Sequence, residues 1–300
     1  MARELQPHPL LMKHKNIIKT HFFMNKKSES FLVEERLPFV LDDGWRAKGV
    51  QEAANLLYDI ANALAFLHSM GLVHGDVKPD NIGKDGEDYI LLDFGICRKK
   101  EAFVAEVVSA TGSLRTRAPE LLELDKYLKE QPEKVDIWAL GATVYNALVG
   151  RFPLFDKDEN PPRISTPEER SKFEAVLLER VRDEWEKRVD LSLVQEPMRN
   201  LLAEALEKDP KKRCQASKLV QESPSELAAF LRASQQSIGK FSPLEELQQF
   251  KNYLPDSEIL NLMPIVQKET LKTKLDGLKT AHGFDKDQLG YIDDLLKSLV

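Results

Sequence analysis

Apolar residues recur at three- and four-residue spacing from Gln51 to Met70, with Leu56, Leu57, Ile60, Leu64 and Leu67 on one side. That period predicts an amphipathic helix, and Gly71 just after it suits the left-handed turn that closes a helix. Before it, β-branched and aromatic runs at Asn16–Met24 and Ser30–Glu34 flank a polar turn at Asn25–Lys27, the pattern of a strand pair. Tyr89–Leu92 predicts a short strand running into Asp93-Phe94-Gly95. From Val135 onward the pattern is helical, at Val135–Val149, Pro167–Val189, Glu196–Glu207 and Cys214–Val220, separated by Pro- and Gly-containing turns. The second of these carries Phe173, Val176, Leu177, Leu178, Val181 and Trp185 as a broad apolar stripe opposite a charged face. After Ser223-Pro224 come four more helical stretches, Leu227–Ser234, Pro243–Tyr253, Asp256–Leu275 and Lys286–Leu299, without a catalytic constellation.

Composition narrows the functional classes. The chain has 300 residues, 42% of them hydrophobic, which suits a folded globular protein. Its 43 Lys and Arg against 49 Asp and Glu give a net charge of -6, so no global basic field marks a nucleic-acid or membrane partner. The first 25 residues hold no signal-peptide core, and the longest largely apolar run, Ile137–Val149, is too short to span a bilayer. Cys97 and Cys214, the two cysteines, form no disulfide framework or zinc spacing, so free thiols in a cytoplasmic protein are expected.

The segment His74-Gly75-Asp76-Val77-Lys78-Pro79-Asp80-Asn81 is the chemically dense one. Phosphoryl transfer needs a carboxylate to orient the attacking hydroxyl, a cation near the γ-phosphate and oxygen ligands for magnesium. Asp76, Lys78, Asn81 and Asp93 are candidates for all of these. Taken alone, the octapeptide is also compatible with a polar turn whose Asp80 and Asn81 satisfy local backbone donors.

The pair HGDVKPDN and DFG, separated by one strand, resembles the catalytic and magnesium loops of eukaryotic-type Ser/Thr protein kinases. Three further matches follow in that family's order: Ala118-Pro119-Glu120, Asp136-Ile137-Trp138-Ala139-Leu140-Gly141, and Lys208-Asp209-Pro210-Lys211-Lys212-Arg213. The resemblance implies Asp76 as catalytic base, Lys78 as γ-phosphate contact, and Asn81 and Asp93 as magnesium ligands, with ATP and Mg as cofactors. It also implies an ion pair between Glu120 and Arg213, and Asp136 hydrogen-bonded to the catalytic-loop backbone. Gly112 and Ser113 fall where the family lines the substrate-hydroxyl site, so a protein Ser or Thr is the expected acceptor. Leu32–Leu37 resembles the hinge, with the backbone of Glu35 and Leu37 facing adenine and Glu34 at a position usually apolar.

Other positions depart from the family. Gly75 replaces the Arg that many kinases use to hold a phosphorylated activation loop, so phosphorylation of Ser109, Thr111 or Ser113 is not expected to act through position 75. No Gly-rich loop and no strand lysine of the Val-Ala-Ile-Lys type precede residue 74. His14-Lys15-Asn16-Ile17-Ile18 resembles the turn after the family's regulatory helix, whose tail Arg3-Glu4-Leu5 would be. The expected fold is α+β and protein-kinase-like: a remnant, truncated β small lobe (1–35), a mostly helical large lobe (36–222) and a helical C-terminal extension (223–300). The expected function is Mg- and ATP-dependent phosphoryl transfer with an incomplete nucleotide clamp, in a fragment of a longer kinase or a split one. The alternatives are a pseudokinase or scaffold binding a partner through the Pro167–Val189 helix or the tail, and a small-molecule phosphotransferase, whose catalytic loop also reads His-Gly-Asp.

Overall fold

The computed structural model describes residues 14–26, 29–107, 112–123, 130–157, 159–162 and 164–223. Its strands are β1 (Thr20–Lys26), β2 (Glu29–Glu34), β3 (Phe39–Val40), β4 (Leu72–Val73), β5 (Ile82–Asp85), β6 (Asp88–Leu91) and β7 (Arg98–Lys99). Its helices are α1 (Val50–Ser69), α2 (Lys100–Val107), α3 (Pro119–Glu123), α4 (Lys134–Val149), α5 (Pro167–Asp183), α6 (Trp185–Arg188), α7 (Met198–Ala205) and α8 (Ala216–Glu222). Helices dominate and strands are short and antiparallel, an α+β fold as expected.

Two helices set the core. In α1 the predicted stripe is fully buried, Leu56, Leu57, Ile60, Leu64 and Leu67 all at 0% exposure, and each such side chain is worth roughly 1.5–3 kcal/mol of transfer free energy. Glu52 in its first turn accepts from the Lys48 N–H at 2.7 Å, and Gly71 with φ +71° turns the chain out at the other end. Helix α4 is buried from Lys134 through Ala147. It reads as an apolar run because it has no solvent face. Gly141 lets α4 approach α7, since a Cβ there would lie 3.0 Å from the Ala205 Cβ and 3.1 Å from Leu206.

β3, β5 and β6 form one sheet, β4 and β7 a second, and β1 and β2 a third. Ile17 bridges Leu91 in parallel, and the Asn16 amide donates to the Tyr89 carbonyl at 2.9 Å, pinning the segment before β1 onto β6. Burial pushes the Cys97 and Cys214 thiols up to about 12, which keeps both protonated and unreactive.

The expected 167–189 helix is two helices. It breaks at Glu184, whose φ of −124° leaves the helical region, and α6 restarts at Trp185. Its apolar stripe is spent inside the molecule: Leu177 and Val181 are buried, Phe173 packs on Phe155 and Trp185 on Trp138, and only Val176 stands exposed. α5 starts with a capping box, Thr166 Oγ1 accepting from the Glu169 N–H while Glu169 returns the bond to the Thr166 N–H. The expectations at Arg3–Leu5, Ser109, Thr111 and the helices beyond Ser223 lie outside the described residues.

Candidate active site

β4 ends at Val73, and the chain turns immediately into the segment His74–Asn81, which is fastened from below by α4. Asp136 Oδ2 accepts from the His74 N–H at 2.9 Å and Oδ1 from the Gly75 N–H at 2.8 Å, while the His68 ring contacts Oδ2 at 2.9 Å. Asp136 is completely buried, so these bonds hold the loop without competition from water. The hydrogen bonding expected of Asp136 is therefore present. Gly75 takes φ +81°, and a Cβ there would lie 2.8 Å from Phe103 Cε2, so the ring of Phe103 occupies the space a larger residue needs.

Three of the candidate residues meet in one cluster. Asp76 Oδ1 accepts from the Ser113 N–H at 2.9 Å; Oδ2 accepts from Asn81 Nδ2 at 3.0 Å and lies 2.8 Å from Lys78 Nζ. Asn81 Nδ2 also donates to the Asp76 carbonyl at 2.8 Å. Both Asp76 oxygens are thus fixed in direction. Burial works against the Lys78 ammonium, but its hydrogen bond to Asp76 and the charges of Asp76, Asp80 and Asp93 hold its pKa above the usual lysine value. Pro79 starts a 3₁₀ turn over Pro79–Asn81 that returns Asn81 to Asp76.

Asp93 arrives from β6 on the same side, with φ +56°, the only positive value at a non-glycine among the described residues. Its Oδ1 accepts from the Gly95 N–H at 3.1 Å and the side chain faces solvent. The Leu92 N–H donates to the Asn81 carbonyl at 2.9 Å, which ties the two loops together one residue before Asp93. Phe94 packs edge-on against His74 at 5.1 Å.

At the 32–37 segment the picture is mixed. The Glu35 N–H already donates to the Lys19 carbonyl at 2.9 Å, which leaves only its carbonyl for a ligand. The Leu37 side chain reaches across Gly83, where a Cβ would lie 2.1 Å from Leu37 Cδ1. Glu34 has its pKa raised, by burial and then by the negative charge of Asp93. The Ser113 N–H and the Leu37–Gly83 contact are site features that sequence reading does not reach, since one is a backbone group and the other a tertiary contact.

Behind the site, Glu120 and Arg213 form the expected ion pair at 2.6 and 3.0 Å, both side chains nearly inaccessible. The protein kinase domain family model matches residues 1–223. The chain belongs to the protein kinase family. Among curated relatives, the kinase is 31% identical over 156 residues to calcium/calmodulin-dependent protein kinase type 1 of Caenorhabditis briggsae, a match covering 49% of this chain and 42% of that protein. It is 30% identical over 205 residues to human RAC-beta serine/threonine-protein kinase, covering 64% of this chain and 38% of the relative. A probable myosin light chain kinase of Dictyostelium discoideum is 27% identical over 219 residues, 71% of this chain and 62% of its own length. The chain thus spans less than two thirds of each of these relatives.

Proposed function

We propose that this kinase transfers the γ-phosphoryl group of Mg-ATP to a Ser or Thr hydroxyl of a protein. The observation that carries the reading is the Asp76 carboxylate, aimed by the Ser113 N–H and Asn81 Nδ2 with Lys78 beside it. Asp76 accepts the proton of the attacking hydroxyl. Lys78, paired with Asp76 in this structure, would exchange that carboxylate for phosphate oxygens, and its raised pKa keeps it charged for the purpose. The Ser/Thr preference draws support from Gly112 and Ser113 beside Asp76, and from relatives named serine/threonine-protein kinases.

The donor set fits magnesium. Asn81 uses its Nδ2 toward Asp76, leaving Oδ1 free, and Asp93 keeps Oδ2 free toward solvent. Two hard oxygen donors suit a cation that takes its remaining ligands from phosphate and water, and no cluster of three or more acidic, His or Cys side chains among the described residues offers a protein cage instead. Bound Mg-ATP would supply the phosphoryl group and a divalent charge; Asn81 and Asp93 would hold the metal, and the Glu35 carbonyl and Leu37 N–H the adenine edge.

Nucleotide binding and turnover test this separately. The expected result is Mg-dependent ATP binding in the unaltered chain, lost in Asp93→Ala and kept in Asp76→Asn, with labelled phosphate transferred to a Ser peptide only by the unaltered chain. A chain that binds no nucleotide would favour the scaffold reading. For the 167–189 helix that reading has less support, because the residues of its apolar stripe other than Val176 pack inward; the tail lies outside the described residues.

A further inference from the structure

A cavity of about 250 Å³ opens beside the catalytic loop, with Asp43, Arg46, Arg115, Asn146, Arg151 and Glu159 in its wall. Asp43 and Arg115 form an ion pair across 72 residues of chain. Arg115 lies two residues past Ser113, whose N–H aims Asp76, and Asp43 is close enough to Asp80 and Lys78 to feel both charges. The Asp43 carbonyl is fixed by Asn146 Nδ2 at 3.1 Å. Asp43 and Arg115 thus connect the wall of the cavity to the catalytic loop.

Its charges are unevenly matched. Each carboxylate has its own guanidinium: Asp43 has Arg115, Asp156 has Arg188 at 2.8 Å, and Glu159 has a two-pronged pair with Arg180 at 2.9 Å. Arg46 and Arg151 bond only to main-chain carbonyls among the described residues. Arg46 reaches those of Asp43, Trp45 and Gly150 at 2.7–3.2 Å, and Arg151 that of Arg188 at 2.8 Å. Carbonyls orient a guanidinium without cancelling its charge. All the bonds of Arg151 use Nη1, so Nε and Nη2 have no acceptor among the described residues. Arg151 also lies over the Tyr145 ring at 5.4 Å and feels the charge of Asp190, but among the described residues no carboxylate forms an ion pair with it or with Arg46. A basic side chain entering here would meet carboxylates that are already paired and two guanidiniums that are not.

Resting on the protein-substrate reading above, we infer that this cavity recognises an anionic side chain of the substrate, a carboxylate or a phosphate, held by Arg46 and Arg151 beside the acceptor hydroxyl. The Asp43–Arg115 pair forms the fixed wall between this pocket and the catalytic loop. Planar guanidiniums with free N–H edges suit either anion.

Fluorescence polarisation with the full chain tests the inference without turnover, so a failure of phosphoryl transfer leaves the result readable. Labelled Ser peptides are compared that differ only in carrying Asp, phosphoserine, Ala or Arg at the flanking positions. The Asp or phosphoserine peptide is expected to bind about tenfold tighter than the Arg peptide, and whichever binds tighter identifies the anion. Arg46→Glu, at an exposed residue, and Arg151→Gln should each erase most of that preference, with unchanged thermal melting showing that the fold is kept. Equal or tighter binding of the Arg peptide, a preference that survives both substitutions, or no binding of any peptide would overturn the inference.

Discussion

Asp136 and His74 are joined by a 2.9 Å hydrogen bond from a backbone N–H to a fully buried carboxylate, so the catalytic loop hangs from the buried first turn of α4. Gly75 N–H and the His68 ring complete the set of contacts to the same carboxylate. Removing such an acceptor leaves buried donors unpaired, at about 1–3 kcal/mol for each group. Asp136→Ala is therefore expected to lower unfolding free energy by a few times that of an exposed substitution, and to impair any activity that depends on Asp76. Urea denaturation beside a phosphoryl-transfer assay checks both. Full stability in the variant would show that the loop holds itself.

Glu120 and Arg213 give a second prediction. Their side chains are 2% and 0% exposed, and Arg213 also donates to the Lys134 and Glu207 carbonyls and lies over the Trp138 ring at 5.4 Å. Breaking a buried pair strands the remaining charge, so Glu120→Ala is expected to cost about 3–5 kcal/mol. Arg182 and Glu123, 60% and 42% exposed at 3.1 Å, are the internal control; Glu123→Ala is expected to cost about 0–1 kcal/mol. Chemical denaturation of the two single variants decides it, and similar losses would contradict the burial argument.

Gly75 carries a third. The position combines φ +81° with the Phe103 ring 2.8 Å from where a Cβ would sit. Gly75→Ala is expected to destabilise by about 1–3 kcal/mol from backbone strain alone, with a further loss from the clash. Phe103→Ala empties a fully buried site at its own cost, so the clash is read from the double-variant cycle: Gly75→Ala should cost less in the Phe103→Ala background than alone, by the clash and not by the strain. Gly75→Arg is accordingly not expected to create a phosphate-responsive kinase, and measured activity of that variant with and without a phosphomimetic at Ser113 tests this directly.

What the sequence reveals follows physical range. α1 was legible because its burial repeats with the helical period, and α4 because a helix without a solvent face reads as one apolar run. The motif residues Asp76, Lys78 and Asn81 lie within one short loop, so their meeting was legible from spacing and family resemblance. β5, Ile82-Gly83-Lys84-Asp85, has no alternation to detect; it is a strand because β3 and β6 flank it. The break of the 167–189 helix at Glu184 has no Gly or Pro to announce it and goes with Trp185 packing on Trp138. Asp43 and Arg115 lie 72 positions apart, and the cavity they border depends wholly on tertiary placement.

Asp59, on the buried face of α1, gives the chain a stability that should depend on pH near neutrality. Burial pushes its carboxyl up to about 7 from an ordinary 3.8, against the charge of Lys15, the Tyr89 N–H at 2.9 Å and a hydrogen bond from Asn16, with Asp88 adding to the rise. Between about pH 4 and about pH 7 the folded state therefore holds a proton that the unfolded chain has already released. Stability from this group is fully present below pH 4, declines as pH rises through that window, and is lost above about 7, a difference on the order of a few kcal/mol. Asp59→Asn removes the titration, keeps an acceptor for the Tyr89 N–H, and brings an amide donor near Asn16 Oδ1, which is buried without a partner among the described residues. Unfolding free energies of both chains at pH 5, 6, 7 and 8 should show the variant gaining relative to the unaltered chain as pH rises. Taking the difference cancels the slopes of every other group, so two parallel curves would place the Asp59 carboxyl at its ordinary value.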